Sequence, residues 1–180
     1  FLNSGGVRFQ VCEKKVIDGV YGKLIEEFKK KNENKYVLIT TSHLTSKKEL
    51  KNYMNSDKTF MKLVTKKQLQ IREKELLSLL KLNIKFKEVI IFLNSNFPKL
   101  PILIRPHPSE SVEDWKKFLN KNFRSKQNIS INSETDINVL IKNCLCVINS
   151  KSSAGLHGYF QQKPIISYLP KQVKYRKRVF

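Results

Sequence analysis

Ile102-Leu103-Ile104-Arg105-Pro106-His107-Pro108 decides how this chain is read, and Val147-Ile148-Asn149-Ser150-Lys151-Ser152-Ser153-Ala154-Gly155 answers it. Each is an apolar run that stops abruptly in polar residues. A short apolar run bounded by turn residues suits a strand buried on both faces of a parallel sheet. In an open α/β sheet, ligands bind at the carboxyl ends of the strands, where the strand order reverses. Both phrases therefore deliver polar chemistry to the edge where a phosphate-bearing ligand is expected.

Working outward, strand and helix signals alternate along the chain. Tyr36-Val37-Leu38-Ile39-Thr40 reads as a buried strand between the Asn32-Glu33-Asn34 turn and Thr41-Ser42. Helical spacing of Leu69, Leu76, Leu77 and Leu80 predicts a helix from Lys66 to about Leu82, and a second runs from Phe86 to Phe97, ahead of Pro98. Pro101 to Ile104 is the next strand. Ser111 and Asp114 resemble a capping box for a helix with Val112, Trp115 and Leu119 on one face. Asn128 to Ile131 is a short strand, and Asp136 caps a helix turning Ile137, Leu140 and Ile141 inward. Leu145 to Asn149 is a strand. Ser152-Ser153 opens a helix with Leu156, Tyr159 and Phe160 on one side, and Pro164 to Tyr168 is the last strand. Trp115 and Tyr159 read as core. The expected fold is α/β: a Rossmann-like parallel sheet of about five strands, helices on both faces, in the order 3-2-1-4-5. Residues 1–31 read as a junction segment and helix from a preceding domain, 32–170 as the sheet domain and 171–180 as a basic tail.

Composition narrows the classes. The chain has 180 residues, 40% of them hydrophobic, which fits a folded domain with a core. No apolar run exceeds five residues, as at Val89 to Leu93, whereas a membrane-spanning helix needs roughly 20. No signal-peptide pattern is present at the N-terminus. Cys12, Cys144 and Cys146 show neither disulfide nor metal spacing, which favours a reducing, cytoplasmic setting. Two apart on a strand, Cys144 and Cys146 are expected to share a face as small core residues. The net charge of +20 is spread along the chain among many Asn and Ile residues. It reads first as a solvated, compositionally biased surface, then as attraction to an anionic membrane, and last as nucleic-acid binding. No basic stripe with interleaved aromatics appears except the tail from Lys171 to Arg178, so no specific nucleic acid is expected.

The order 3-2-1-4-5 brings three polar clusters to one crevice. Thr41 and Ser42 end the first strand, Arg105 and His107 the second, and Ser150, Lys151, Ser152 and Ser153 the fourth. Serine hydroxyls, the backbone N–H groups of a helix start, and cationic side chains are what a phosphate needs. His107, held between two prolines just after a buried strand, is the candidate catalytic residue. Each residue also has a plain structural use: Ser152 as a helix cap, Arg105 paired with Glu110, His43 on a loop, His157 as a half-buried packing group.

Taken together, Arg105-Pro106-His107-Pro108-Ser109-Glu110 with Trp115, Ser152-Ser153-Ala154-Gly155-Leu156 and Lys163-Pro164-Ile165-Ile166-Ser167-Tyr168 resemble bacterial surface-carbohydrate biosynthesis proteins. More broadly the chain is similar to the C-terminal half of GT-B glycosyltransferases, including capsule Kdo-transferases and bacterial sialyltransferases. Gly6-Val7-Arg8-Phe9 resembles the phrase at the domain junction of that group, so the likeness runs, with gaps, from about residue 5 to residue 170. The resemblance implies that His107 and Ser152-Ser153 contact the phosphate of a nucleotide-sugar donor, CMP-activated in some members, without a metal or other cofactor. The implied acceptor is a glycan or a lipid-linked molecule, and the general base would come from the N-terminal domain. The chain departs from the pattern at His157, where the family commonly places a ribose-binding glutamate; an imidazole cannot accept two hydroxyl protons as a carboxylate does. The alternatives are the lobe of a sugar-nucleotide epimerase and a non-catalytic basic module binding nucleotides or nucleic acid.

Overall fold

The structure, a computed structural model, describes residues 14–32, 35–41, 65–108, 110–123, 128–150 and 152–168. Five strands, β1 (Val37–Thr40), β2 (Ile102–Arg105), β3 (Ile129–Ile131), β4 (Cys146–Asn149) and β5 (Ile165–Ser167), form one parallel sheet in the order β3-β2-β1-β4-β5. This is the expected order, and the chain has an α/β, Rossmann-like fold.

The register explains why these short runs suffice. Ile131, Ile104, Ile39, Ile148 and Ile166 lie side by side across all five strands. Branched side chains pack well on a pleated surface, and alternation sends this rung to one face and Leu103, Leu38 and Val147 to the other. Against the isoleucine face lie Leu82, Phe86 and Ile90 of α2 (Lys66–Asn96) with Trp115 and Leu119 of α3 (Val112–Asn122). The opposite face packs Leu140, Ile141 and Cys144, at or just after α4 (Ile137–Asn143), with Tyr36. Outside α4 lies α1 (Lys14–Lys31), whose Ile17 and Ile25 are buried with Val139. The helix assigned to the junction thus contributes to the packing of the sheet domain.

The expected caps are present. The Ser111 hydroxyl accepts from the Asp114 N–H, and the Asp136 carboxylate accepts from the Asn138 N–H. Other expectations need correction. The two helices drawn from Lys66 to Phe97 are one, α2, because Leu82, Phe86 and Ile90 keep a spacing of four through the supposed break. Cys144 and Cys146 do not share a face: Cys144 is the C-cap of α4 and packs on one side, while Cys146 lies in β4 and packs on the other. Burial pushes the Cys144 thiol up to about 12. Tyr159, expected in the core, is 70% exposed. The short helix α5 (Ala154–Phe160) meets the sheet through Ala154 and Gly158 instead. A Cβ on Gly158 would stand 3.3 Å from both Ile165 Cγ1 and Val147 Cγ2, so the glycine sets how closely the helix approaches.

Candidate functional site

One residue beyond the isoleucines the sheet changes character. Arg105, Thr40, Asn149 and Ser167 are in register across β2, β1, β4 and β5 and form its final rung. The strand order reverses between β1 and β4, and α2 packs on the isoleucine face whereas α5 packs over Val147 on the other, so the carboxyl ends of these two strands are where a ligand crevice is expected. Thr40 and Asn149, neighbours on these two strands, form its floor. Both are buried, and Thr40 Oγ1 and Asn149 Nδ2 have no hydrogen-bond partner among the described residues. Buried polar atoms are nearly always paired, so two unpaired ones at a switch point mark the place where a ligand would supply partners. Gly155 in the first turn of α5 lies directly over Asn149: a Cβ there would stand 2.9 Å from Nδ2.

The second element of the site is a buried carboxylate. Glu110 accepts from the Thr41 hydroxyl at 2.6 Å and from the Trp115 indole N–H at 2.8 Å, both through Oε2. Its own N–H donates to the His107 carbonyl at 2.8 Å. Glu110 thereby ties the end of β1, the start of α3 and the His107 turn into one unit. The expected pairing of Glu110 with Arg105 is not the one formed. The Arg105 guanidinium donates to the Ser133 carbonyl at 2.6 Å and is influenced by Asp136, on the β3 side of the sheet. Thr41, expected to face a ligand, has its hydroxyl committed to Glu110.

His107 is exposed at the end of β2. Burial of part of its ring, and then the Arg105 charge, lower its pKa below the usual histidine value. The imidazole is therefore neutral at neutral pH and carries one N–H donor and one acceptor. Ser150 is buried beside the floor. The Ser152 hydroxyl accepts from the Ala154 N–H at 3.2 Å, which is the cap reading. Ser153 is exposed, helical in its backbone (φ −58°, ψ −21°), and makes no side-chain cap bond. With seven residues α5 is short, so the hydroxyls and His107, more than a helix dipole, are what the edge offers an anion. Ser42, His43 and Lys151 lie outside the described residues.

His157, the possible ribose contact, is half-buried on α5. Its Nδ1 lies 2.9 Å from Asn138 Oδ1, which also accepts from the Gln161 side chain at 3.3 Å, so the three residues tie α5 to α4. A groove of about 470 Å³ between α1 and the start of α4, lined by Leu24, Phe28, Glu27 and Asp136, is separate from the crevice. Among the described residues no cluster of His, Cys, Asp and Glu has the makings of a metal site, and no helix is long and apolar enough to cross a membrane. No family model, curated protein or solved structure matches the chain.

Proposed function

We propose that the crevice between β1 and β4 binds the phosphate of a nucleotide-activated sugar, and that the chain is the donor-binding domain of a glycosyltransferase building cell-surface polysaccharide. The observation that carries this reading is the final rung. Polar residues from strands distant in sequence end together at the switch point, with Thr40 Oγ1 and Asn149 Nδ2 buried and unpartnered among the described residues. His107 enters from the β2 side, Ser150, Ser152 and Ser153 from the β4 side. In glycosyl transfer the bond from the sugar's anomeric carbon to the donor phosphate breaks, and negative charge grows on the departing nucleotide. Hydrogen-bond donors fixed at that point stabilise the charge with little reorganisation. His107 is the donor for this role, and the serine hydroxyls supplement it. A glycan or lipid-linked acceptor, and an anionic membrane surface drawing on the +20 charge, belong to the same proposal.

Titration with CMP, CDP, UDP and GDP at two salt concentrations tests it. Selective binding that survives added salt and drops at least tenfold in His107→Ala is the expected result. Weak, unselective binding that disappears with salt would reduce the interaction to nonspecific attraction by a cationic surface and overturn the proposal.

A further inference from the structure

Asn83 is a residue that neither the strand-end motifs nor the resemblance points to. It lies on α2, 3% exposed, on the same face as Leu82, Phe86 and Ile90. Both its Oδ1 and its Nδ2 are buried with no hydrogen-bond partner among the described residues, and it is the only described side chain with two such atoms. Its height follows from the fold. The ring of Phe86 meets the ring of Tyr168 edge-on at 5.7 Å, and the Tyr168 N–H bonds to the Asn149 carbonyl at 2.8 Å, so Phe86 stands near the final rung. From Phe86 helix α2 runs on to Asn96, and Phe97 to Pro101 lead from it into the amino edge of the sheet, where β2 begins. Asn83 is three residues earlier on it, about 4.5 Å further toward the carboxyl edge at the helical rise. It therefore flanks the crevice on the α2 side, as Asn149 underlies it on the α5 side.

We infer that Asn83 is a specificity residue of this crevice, and that its carboxamide pairs with the hydrogen-bonding edge of a nucleobase. A carboxamide sets one acceptor and two donors side by side, the pattern that answers the adjacent donor and acceptor on the edge of a base. Phosphate, an acceptor only, would use half of it. The inference rests on the nucleotide reading above and adds to it the part of the ligand that sets selectivity. Buried and unpaired among the described residues, the amide stands to gain hydrogen bonds from such an edge.

The test compares CMP, GMP and ribose 5-phosphate binding to the full chain by calorimetry, in the wild type, Asn83→Leu and Asn83→Asp, with melting temperatures measured in parallel. Leucine has nearly the shape of asparagine and no polar atoms, so Asn83→Leu should melt at or above the wild-type temperature. It should also bind the preferred nucleotide about tenfold more weakly while keeping its affinity for ribose 5-phosphate. Asn83→Asp, which exchanges the donor for an acceptor, should change the order of preference between CMP and GMP. If both variants discriminate among the three ligands as the wild type does, the inference falls and the nucleotide reading stands. If the wild type binds nucleotides no better than ribose 5-phosphate, the base-recognition role falls; if it binds none of the three, the nucleotide reading falls with it.

Discussion

Two adjacent rungs of one sheet are built to opposite rules. Ile131, Ile104, Ile39, Ile148 and Ile166 span all five strands, and the central three are fully buried or nearly so. One residue further on, Arg105, Thr40, Asn149 and Ser167 are polar, and the central two are just as deeply buried. Burying an isoleucine stabilises a fold, whereas burying an unpaired hydroxyl or amide costs about 1–3 kcal/mol. The first rung serves the fold. The second works against it, and departures of this kind are expected at functional positions.

The contrast is tested most severely in the core. Ile104→Ala should cost about 2–5 kcal/mol and Trp115→Ala about 3–5 kcal/mol, since each empties a buried site. The tryptophan substitution carries a second penalty, because Glu110 loses the indole N–H it accepts from. Midpoints of urea unfolding measure both. A core substitution that left the midpoint in place would show that the isoleucine face is not what holds the sheet.

What could be read in the sequence follows the same division. Strand order and most element positions were legible because both-face burial writes an unbroken apolar run, and the caps at Ser111 and Asp136 announce themselves locally. Structure and sequence pattern part company where small or polar residues carry the packing. On α5 the large side chains Leu156 and Tyr159 suggested a buried face, yet Ala154 and Gly158 make the contact. On α2 the Asn83-Ile84-Lys85 stretch looked like a break, although the buried spacing of four continues through it. Of the site, the meeting of Arg105, Thr40 and Asn149 in one rung follows from the order of the strands, whereas the turn of Arg105 to Ser133 and of Thr41 to Glu110 does not. The role of Glu110 was not legible, since one carboxylate bonding to residues 69 and 5 positions away leaves no periodic trace. For Asn83 there was no signal, because an unpaired side chain is known only once its surroundings are.

At the glycine over the floor the expected effect is smaller. Gly155→Ala drives a methyl group to 2.9 Å from Asn149 Nδ2, and should destabilise by about 1–3 kcal/mol as an overpacked contact. Asn149→Ala should recover much of that loss, and a double-mutant cycle reads the coupling. Additive effects would mean that helix and floor do not meet as described.

On the floor itself, Thr40→Val removes a buried hydroxyl that has no partner among the described residues and keeps the shape and branching of the side chain. The unfolding midpoint should stay within about 0.5 kcal/mol of wild type or rise by up to about 1 kcal/mol, opposite in sign to Ile104→Ala one rung away. Loss of nucleotide affinity in the same variant would sharpen the comparison, since a residue that weakens the fold would then be needed for the ligand. A destabilisation of 2 kcal/mol or more would mean that the hydroxyl has a partner, and the contrast between the rungs would fail.

The smallest expected effect is that of pH. Partial burial and the Arg105 charge depress the pKa of His107 in the folded chain, while the unfolded value lies near 6.5. Between the two, the unfolded chain takes up a proton that the folded chain resists. The folded state therefore has its full relative stability above about pH 6.5 and loses some as the pH falls from there through the folded value. His107 is exposed, so solvent screening keeps the loss slight. A bound phosphate acts in the opposite direction by favouring the imidazolium, so nucleotide affinity should increase as the pH falls through the same window, with a proton taken up on binding. Titration of the His107 ring signals by NMR, with and without nucleotide and with His107→Gln to assign them, follows both changes. A free-state pKa at or above 6.5 would show that burial and the Arg105 charge do not act on the ring as described, and a value unmoved by nucleotide would place the phosphate away from the histidine.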